Sequence, residues 1–273
     1  MERKVINLVK GYQTQDGAGV KLVRVLGNHT IEGYDPILML DSFDSTNPED
    51  YIAGFPMHPH RGIETISYVS KGKMQHRDNL GYSDTIEDGE VQWMTAGSGI
   101  LHEETLPPSE RMLGVQLWLN LPAKDKMVVP QYHSIKNDQI REIPFSGGYI
   151  RLLAGKYKEN TGFMGRYLPL DYYDIHLDKN STITIETEEN RSIMLFTLLG
   201  NVKVEDCLIP EKTAAKLSKG DHVTIHSEQG AQVLFISSIA IEESISWGGP
   251  IVMNTAEELE QAFIELGNGT FIK

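Results

Sequence analysis

Short alternating segments, separated by glycine or aspartate turns, recur along most of the chain. Residues 20–26 (VKLVRVL) and 63–69 (IETISYV) alternate apolar and polar side chains, as half-buried strands do. The same pattern returns in the second half, for example in TITIE at 182–186 and HVTIH at 222–226. Strands that follow one another roughly every ten residues favour a sandwich or barrel over a βαβ fold. The sequence therefore predicts an all-β protein.

The chain is long enough, at 273 residues, for one large or two medium domains. Residues 122–148 carry several prolines and end in Ser146-Gly147-Gly148, so this stretch is interpreted as a connector. Strand-like segments resume after it. We therefore expect two β domains, residues 1–134 and residues 135–273.

One helix is readable near the C-terminus. Thr255 and Glu258 form a capping box, and apolar residues follow at helical spacing up to Gly267. Its apolar stripe is expected to dock on the β domains, so the helix and the tail could pack back on the first domain.

Two pairs of candidate metal ligands lie on predicted strands. His58 and His60 are one residue apart in GFPMHPHRGIE, and His102 and Glu104 have the same spacing in GSGILHEE. Side chains two residues apart on a strand share a face, so each pair can aim two donors at one point. If the two strands face each other, three imidazoles and one carboxylate meet, a set that suits a first-row divalent ion. Glu103 lies between His102 and Glu104 and is expected to point away, so the spacing favours Glu104 as the fourth ligand.

The histidines of the second half have no such companions. His222 and His226 share one face of a predicted strand, and His176 stands alone in YDIHLD. They are interpreted as ordinary polar positions and not as a second metal site.

Composition excludes several classes of function. The net charge is −13, which disfavours direct binding to nucleic acid or to anionic membranes. The single cysteine, Cys207, cannot form an intramolecular disulfide. No apolar run resembles a signal peptide or a membrane span. We expect a cytoplasmic monomer, or a nuclear one in a eukaryotic host.

Four motifs resemble the pirin family of bicupins: GFPMHPHRGIETISYV, VQWMTAGSGILHEE, QLWLNLPAKDKMV and SWGGPIVMNT. The likeness runs through most of the chain and is densest in 54–130. It implies two cupin barrels (double-stranded β-helix, or jelly-roll) with a short C-terminal helix, one iron in the N-terminal barrel and no metal in the other. The ligand positions of the family correspond to His58, His60, His102 and Glu104.

Two further carboxylates compete with this assignment. The general cupin pattern places a ligand glutamate four residues after the second histidine, at Glu64 here. The pirin pattern does not use this position as a ligand, so Glu64 is expected to hold an imidazole N–H or a turn. The sequence His-Glu-Glu, where relatives often have His-Ala-Glu, keeps Glu103 as an alternative ligand.

The resemblance implies two different functions. Some pirins resemble quercetin 2,3-dioxygenases, in which a metal-bound flavonol is opened with O₂. In this chain Glu104 would then be the catalytic base. The apolar residues Phe55, Met57, Trp93 and Trp118 would then line a pocket for a flavonol-like substrate, or simply pack inside the barrel. Other pirins resemble regulatory binding proteins, in which the oxidation state of iron changes the surface offered to a transcription factor or metabolic enzyme. Iron (Fe²⁺ or Fe³⁺) is expected, and manganese, nickel and zinc suit the same ligands.

Overall fold

The computed structural model describes all residues, Met1–Lys273. The chain forms two compact units, and each unit is assembled from three separate segments. Unit 1 consists of Met1–Tyr12, Val23–Pro36 and Asn137–Ala240. Unit 2 consists of Gln13–Leu22, Ile37–Lys136 and Ile241–Lys273.

The secondary structure consists almost entirely of β-strands. The strands of the first half are β1 (Val5–Lys10), β2 (Tyr12–Asp16), β3 (Val20–Leu26), β4 (Ile37–Ser45), β5 (Phe55–His60), β6 (Ile63–Lys71), β7 (Met74–Asp78), β8 (Ser83–Ile86), β9 (Glu90–Thr95), β10 (Ile100–Thr105), β11 (Met112–Asn120) and β12 (Gln131–Ile135). Those of the second half are β13 (Arg141–Phe145), β14 (Gly148–Ala154), β15 (Lys156–Tyr157), β16 (Asn160–Thr161), β17 (Asp171–Leu177), β18 (Ser181–Glu186), β19 (Ser192–Gly200), β20 (Val202–Val204), β21 (Cys207–Ile209), β22 (Thr213–Leu217), β23 (His222–Ser227), β24 (Ala231–Ser238), β25 (Ser246–Gly248) and β26 (Ile251–Met253). The α-helices are α1 (Ile31–Tyr34) and α2 (Ala256–Gly267), and short 3-10 turns occupy Pro48–Asp50, Ala123–Asp125 and Asn137–Gln139.

Unit 1 contains a seven-stranded sheet in the order β1-β22-β19-β24-β17-β14-β13 and a four-stranded sheet in the order β18-β23-β20-β21. Neighbouring strands are antiparallel. Apolar side chains from both sheets meet in one large buried cluster that includes Ile175, Ile183, Leu195, Val223 and Phe235. The interior of this unit is therefore filled by aliphatic and aromatic side chains.

Unit 2 is built in the same way, from a seven-stranded sheet (β12-β9-β6-β11-β4-β3-β2) and a four-stranded sheet (β5-β10-β7-β8). The boundary between the two units falls inside β3, after Leu22. An apolar cluster that includes Phe43, Val69, Met74, Ile86 and Met112 fills one part of the interior. Another part of the interior contains buried polar side chains, which are described below.

The C-terminal segment belongs to unit 2. The capping box at Thr255 and Glu258 is confirmed, and α2 ends where the sequence predicts. Ala262 and Phe271 pack on Ile251 and Met253 of β26 in a small buried cluster. No helix in the structure combines the length and the apolar character that a membrane crossing requires.

The domain organisation differs from the sequence-based expectation in two respects. The stretch 122–148 was expected to be a connector, but it contains β12 and β13. The central boundary lies after Lys136, close to the predicted position. The N-terminal segment Met1–Tyr12, however, belongs to the unit of the second half, and the C-terminal segment Ile241–Lys273 belongs to the unit of the first half. The N-terminal strand β1 pairs with β22 of the second half, an interaction between residues more than 200 positions apart that has no local signature.

Candidate metal centre

The two predicted ligand pairs lie on neighbouring strands. β5 and β10 pair antiparallel, with His58 directly opposite His102 and His60 opposite Ile100. The expectation that the two strands would face each other is therefore wrong, because both belong to the four-stranded sheet of unit 2. The parity argument still holds: His60, His102 and Glu104 are buried, and His58 is partly buried.

The three imidazoles converge on one point. Their ligand nitrogens all lie within 4.8 Å of one another. The Nε2 atoms of His58 and His60 are 3.1 Å apart. Two imidazole nitrogens at right angles about one ion, each about 2.1 Å from it, would be about 3.0 Å apart. The spacing is therefore suited to two adjacent positions in the coordination sphere of a single ion.

The opposite side of each imidazole is already engaged. Nδ1 of His58 lies 2.9 Å from the carbonyl oxygen of Pro56, and Nδ1 of His60 lies 3.0 Å from that of Pro250. A carbonyl oxygen only accepts, so both rings carry their proton on Nδ1 and leave the Nε2 lone pair for a metal.

His102 is held by a second histidine. Its Nδ1 is 3.4 Å from Nδ1 of His76, and Nε2 of His76 donates to Oδ2 of Asp78 at 2.8 Å. Because His76 carries its proton on Nε2, its Nδ1 can only accept, and it accepts from the Nδ1–H of His102. The lone pair of the His102 ring therefore lies on its Nε2. That Nε2 atom is buried and has no hydrogen-bond partner in the protein. Such an orphaned acceptor costs about 1–3 kcal/mol, which a bound cation would offset.

The electrostatic environment keeps His60 and His102 neutral. Burial, followed by the neighbouring His58, lowers the pKa of His60 to about 3. Burial, together with the surrounding imidazoles, lowers the pKa of His102 well below its ordinary value. Only a neutral imidazole can coordinate a metal, so both shifts favour the ligand form. Lone-pair orientation, spacing and charge state all fit a single metal ion.

The structure places Glu104 beside the histidines but gives it other partners. Its carboxylate is 1% exposed and accepts hydrogen bonds from Nε2 of Gln92 and, at 2.8 Å, from Nε2 of Gln116. The cluster of ligand atoms within 4.8 Å contains the three histidines and not Glu104. The assignment of Glu104 as the fourth ligand therefore stays a prediction.

The two competing carboxylates lie elsewhere. Glu103 points away from the histidines and accepts from Nε of Arg77 at 2.7 Å. Glu64 accepts from the hydroxyl of Thr95 at 2.7 Å. Of the two roles expected for Glu64, to hold an imidazole N–H or a turn, it makes no hydrogen bond to an imidazole. The turn at Arg61-Gly62 separates it from β5, and Glu64 faces the other side of β6 from Thr65. Burial raises the pKa of Glu64 above its ordinary value.

Sequence reasoning missed four residues that support the ligands. His76 and Asp78 alternate along MQHRD on β7, so their parity could have indicated a shared inward face. Gln92 and Gln116 hold Glu104 from β9 and β11, but a glutamine in an apolar strand has no distinctive spacing.

Of the four apolar residues expected near the substrate, Trp118 packs against the ring of a candidate metal-ligand histidine. Its ring centroid is 5.0 Å from that of His60, and Trp247 lies 5.6 Å beyond it. Phe55 packs on Phe43 in the apolar cluster, Met57 is 45% exposed, and Trp93 shares the face of Glu64 and Thr95.

The C-terminal segment holds the end of β5. Arg61 is buried and donates through Nε to Ser98 O at 2.7 Å and through Nη2 to Phe271 O at 2.8 Å. Nη1 of Arg61 lies 2.8 Å from a carboxylate oxygen of Glu265 on α2. At the adjacent Gly62, with φ of +79°, a Cβ atom would lie 1.9 Å from Val252 O. The segment that follows Pro250 therefore packs closely on the end of β5, and Val252 N donates to Arg61 O at 3.1 Å.

Histidines of unit 1 contact other groups. His176 lies 2.8 Å from Asp174, His222 lies 2.5 Å from Asp221, and His226 lies 2.9 Å from the hydroxyl of Thr182.

Two family models match the chain. The model described as Pirin matches residues 19–119, and the model described as Pirin C-terminal cupin domain matches residues 172–272. The chain belongs to the pirin family. A pirin-like protein of Caulobacter vibrioides is 39% identical to this pirin-family chain, over 98% of the chain and 99% of the relative.

Solved structures show the same fold. A quercetin 2,3-dioxygenase from Acinetobacter baumannii matches with a TM-score of 0.91 and 31% identity, over 99% of each chain. The bacterial pirin YhhW from Escherichia coli in complex with nickel(II) matches with a TM-score of 0.67 and 20% identity, over 86% of this chain and 98% of its own, and shows the fold alone. The predicted architecture of cupin barrels with a short C-terminal helix is thus confirmed.

Proposed function

We propose that this chain is a mononuclear iron oxygenase of the quercetin 2,3-dioxygenase type, which opens a flavonol ring with O₂ and releases carbon monoxide. The observation that carries the proposal is the convergence of three imidazoles whose Nδ1 atoms are all engaged and whose Nε2 atoms point inward. The similarity to a structure named quercetin 2,3-dioxygenase supports the reaction class.

His58, His60 and His102 would hold the iron through Nε2, with Glu104 as the proposed fourth ligand. Iron bound there would supply a Lewis acid for the 3-hydroxyl oxygen of the flavonol and a centre that activates O₂. His76 and the carbonyls of Pro56 and Pro250 fix the ring orientations before substrate arrives.

Glu104 is proposed as the base that takes the proton of the flavonol hydroxyl. An ionised carboxylate offers about four lone-pair positions, and two of them are used by Gln92 and Gln116. The two amides hold the carboxylate in one orientation, and the remaining lone pairs leave room for a ligand bond or a proton. Because the group is buried, the proton would be held inside the barrel and away from bulk water.

The test is carbon monoxide release from quercetin by the purified, iron-loaded protein in air. We expect turnover by the wild-type protein and none above background by the double variant His58→Ala/His60→Ala. The exposed His29 lies in unit 1, so His29→Ala is the matched control and should release carbon monoxide at the wild-type rate. Equal release by the wild type and the double variant would refute the proposal.

The identity of the metal is tested in parallel. Histidine nitrogens and a carboxylate accept several first-row ions, and availability selects among them. Metal analysis of the protein as purified identifies the ion that it carries. The chelated protein is then reloaded with iron, manganese, nickel or zinc, and we expect iron to restore the highest turnover.

A further inference from the structure

Two sets of aromatic side chains extend from the candidate metal centre of unit 2. In the first set, the ring of Trp118 packs edge-on against that of His60, with centroids 5.0 Å apart, and the ring of Trp247 lies 5.6 Å beyond it. Trp118 is buried, and Trp247 is partly exposed. Centroids about 4.5–7 Å apart are typical of aromatic rings in direct contact. The two indoles, called the tryptophan path, therefore connect a proposed ligand with solvent.

The second set begins at His102 and is called the tyrosine path. The ring centroid of His102 lies 5.3 Å from that of His76, and the ring of His76 stacks on Tyr132 at 4.2 Å. The ring of Tyr82 follows at 5.9 Å from Tyr132, and its side chain is 48% exposed. This path also connects a proposed ligand with the surface through rings in contact.

The two paths differ in what becomes of a proton when a ring loses an electron. Indoles and phenols are among the side chains that are oxidised most easily, and electrons pass quickly between rings in contact. An oxidised phenol must pass its proton to an acceptor, whereas an oxidised indole can keep its N–H proton. The hydroxyl of Tyr132 and the Nε1 of Trp118 are both buried without a hydrogen-bond partner. The lack of an acceptor therefore blocks oxidation of Tyr132 and leaves that of Trp118 open.

Solvation gives the tryptophan path a direction. A positive charge on Trp118 would be buried beside His60, where it is poorly solvated and is repelled by a metal cation. On Trp247 the same charge would be partly exposed to water. The Nε1 of Trp247 also donates to Gly249 O at 2.8 Å, and this carbonyl dipole stabilises a positive indole. An oxidising equivalent that reaches Trp118 should therefore move outward to Trp247.

We propose that Trp118 and Trp247 carry oxidising equivalents from the metal centre to the surface, so that a peroxide that reacts there without substrate does not damage the histidine ligands. The inference rests on the proposed function only for the iron ion at the three histidines. It involves neither a flavonol nor turnover.

The electrons balance with hydrogen peroxide as the oxidant. Its reduction to two waters takes up two electrons and two protons. The first electron is taken from ferrous iron, which becomes ferric. Trp118 gives the second electron and regains it from Trp247. The radical cation of Trp247 then releases its N–H proton to water, so that a neutral indole radical is left at the surface.

The test locates the radical and the damage by mass spectrometry of peptides. Protein whose iron content has been measured is treated with an equimolar amount of hydrogen peroxide and with tert-nitrosobutane, which adds covalently to carbon radicals. We expect the adduct at Trp247 and little oxygen addition to the peptide that carries His58 and His60. Zinc-loaded protein should show neither product, because zinc has no redox chemistry. Met164, 48% exposed in unit 1, reports direct oxidation by peroxide and should react equally in every sample.

Two variants interrupt the tryptophan path at different points. Trp118→Phe keeps a ring against His60 but replaces the indole with a ring that resists oxidation. Its adduct at Trp247 should fall to the level of the zinc-loaded protein, and oxygen addition at the ligand histidines should rise. Trp247→Phe leaves the ring beside His60 unchanged and should raise ligand oxidation in the same way. Trp247→Phe decides the outcome if Trp118→Phe fails to hold iron.

Tyr132→Phe is the matched control, since it changes a ring of the tyrosine path that is also one contact from a histidine of the centre. It should give the wild-type pattern of adduct and ligand oxidation. A pattern that changed in Tyr132→Phe and not in the tryptophan variants would overturn the assignment of the path.

Other results would also overturn the inference. If the adduct at Trp247 were undiminished in Trp118→Phe, a diffusing oxidant would be its source. Ligand oxidation that stayed at the wild-type level in both tryptophan variants would show that the path protects nothing. A wild-type protein that holds no iron would refute both this inference and the proposed function. If Trp247 is oxidised through Trp118 in a protein that releases no carbon monoxide from quercetin, the tryptophan path is supported and the oxygenase proposal alone fails.

Discussion

At the scale of single residues, the metal centre depends on what each imidazole does with its second nitrogen. His58 and His60 use backbone carbonyls, which no substitution at Pro56 or Pro250 would remove directly. His102 depends on the side chain of His76, which is itself oriented by Asp78. Among the three proposed ligands, His102 is thus the one whose orientation can be altered by a side-chain substitution.

We expect His76→Phe to weaken binding of a divalent metal by about 10–100-fold, because His102 loses the acceptor for its Nδ1 proton. The phenyl ring retains the stacking on Tyr132. His76→Asn offers an amide oxygen near the position of Nδ1, so its loss of affinity should be smaller. The measurement is a Co²⁺ titration of the chelated protein, followed by the absorbance of the bound ion.

The control for this series is His133→Phe, a replacement of an exposed histidine on β12. It should bind Co²⁺ as the wild type does. If His76→Phe and His76→Asn bound Co²⁺ as tightly as the wild type, the imidazole pair would have no part in orienting His102.

At the scale of secondary-structure elements, the position of β5 depends on the C-terminal segment. Arg61 follows the last ligand of β5 and is tied to Ser98, to Phe271 and to Glu265 of α2. Its guanidinium also lies 4.1 Å above the ring of Phe271. A buried arginine needs such partners, because an unpaired charge in the interior is strongly destabilising. The sequence predicts α2 as a helix that docks on the β domains. In the structure its Glu265 also neutralises the charge of Arg61, next to the candidate metal centre.

The contribution of this ion pair should depend on pH. Lys273, with a further contribution from Arg61, lowers the pKa of Glu265 to about 2, from an ordinary value of 4.5. When the pKa of a carboxyl group is lower in the folded than in the unfolded protein, the ionised group stabilises the fold at any pH above its pKa in the unfolded protein. This stabilisation is lost as the pH falls to its pKa in the folded protein. We expect Glu265→Gln to lower the Tm at about pH 6, and the difference from the wild type to shrink between pH 4.5 and about pH 2.

The matched control is Glu260→Gln, which removes an exposed carboxylate from the same helix. Its Tm should stay near that of the wild type at every pH. A difference between Glu265→Gln and the wild type that stayed constant from about pH 6 to about pH 2 would contradict the ion-pair explanation.

The strands themselves were largely predictable from sequence, because alternation is a local property. VKLVRVL is β3 residue for residue, and TITIE lies within β18, Ser181–Glu186. The histidine pairs were also predictable, since strand parity fixes the face of each side chain. The orienting carbonyl of Pro250 could not be foreseen, because a backbone oxygen leaves no trace in residue type. The side that Glu64 faces depends on a turn at Gly62 that requires a positive φ.

At the scale of the whole molecule, the chain uses one architecture twice with opposite interiors. Each unit has a seven-stranded and a four-stranded sheet. In unit 1 apolar side chains such as Leu195 and Phe235 fill the interior. In unit 2 the corresponding space holds the histidines and the glutamine pair around Glu104. The unpaired Nε2 of His102 lies in unit 2, so a metal ion that binds it should stabilise this unit.

Metal binding should accordingly stabilise one unit selectively. A ligand present at about 1,000 times its Kd adds about 4.1 kcal/mol to the free energy of unfolding of the state that binds it. We expect a divalent metal to slow hydrogen exchange in peptides from β5, β7 and β10, which carry the ligands and His76. Peptides from β19 and β24 of unit 1 should exchange as before, because their core contains no group that the ion satisfies. Mass spectrometry of the same protein before and after chelation makes the comparison. Unchanged exchange in β5 and β10 after chelation would show that no ion is held by the three histidines.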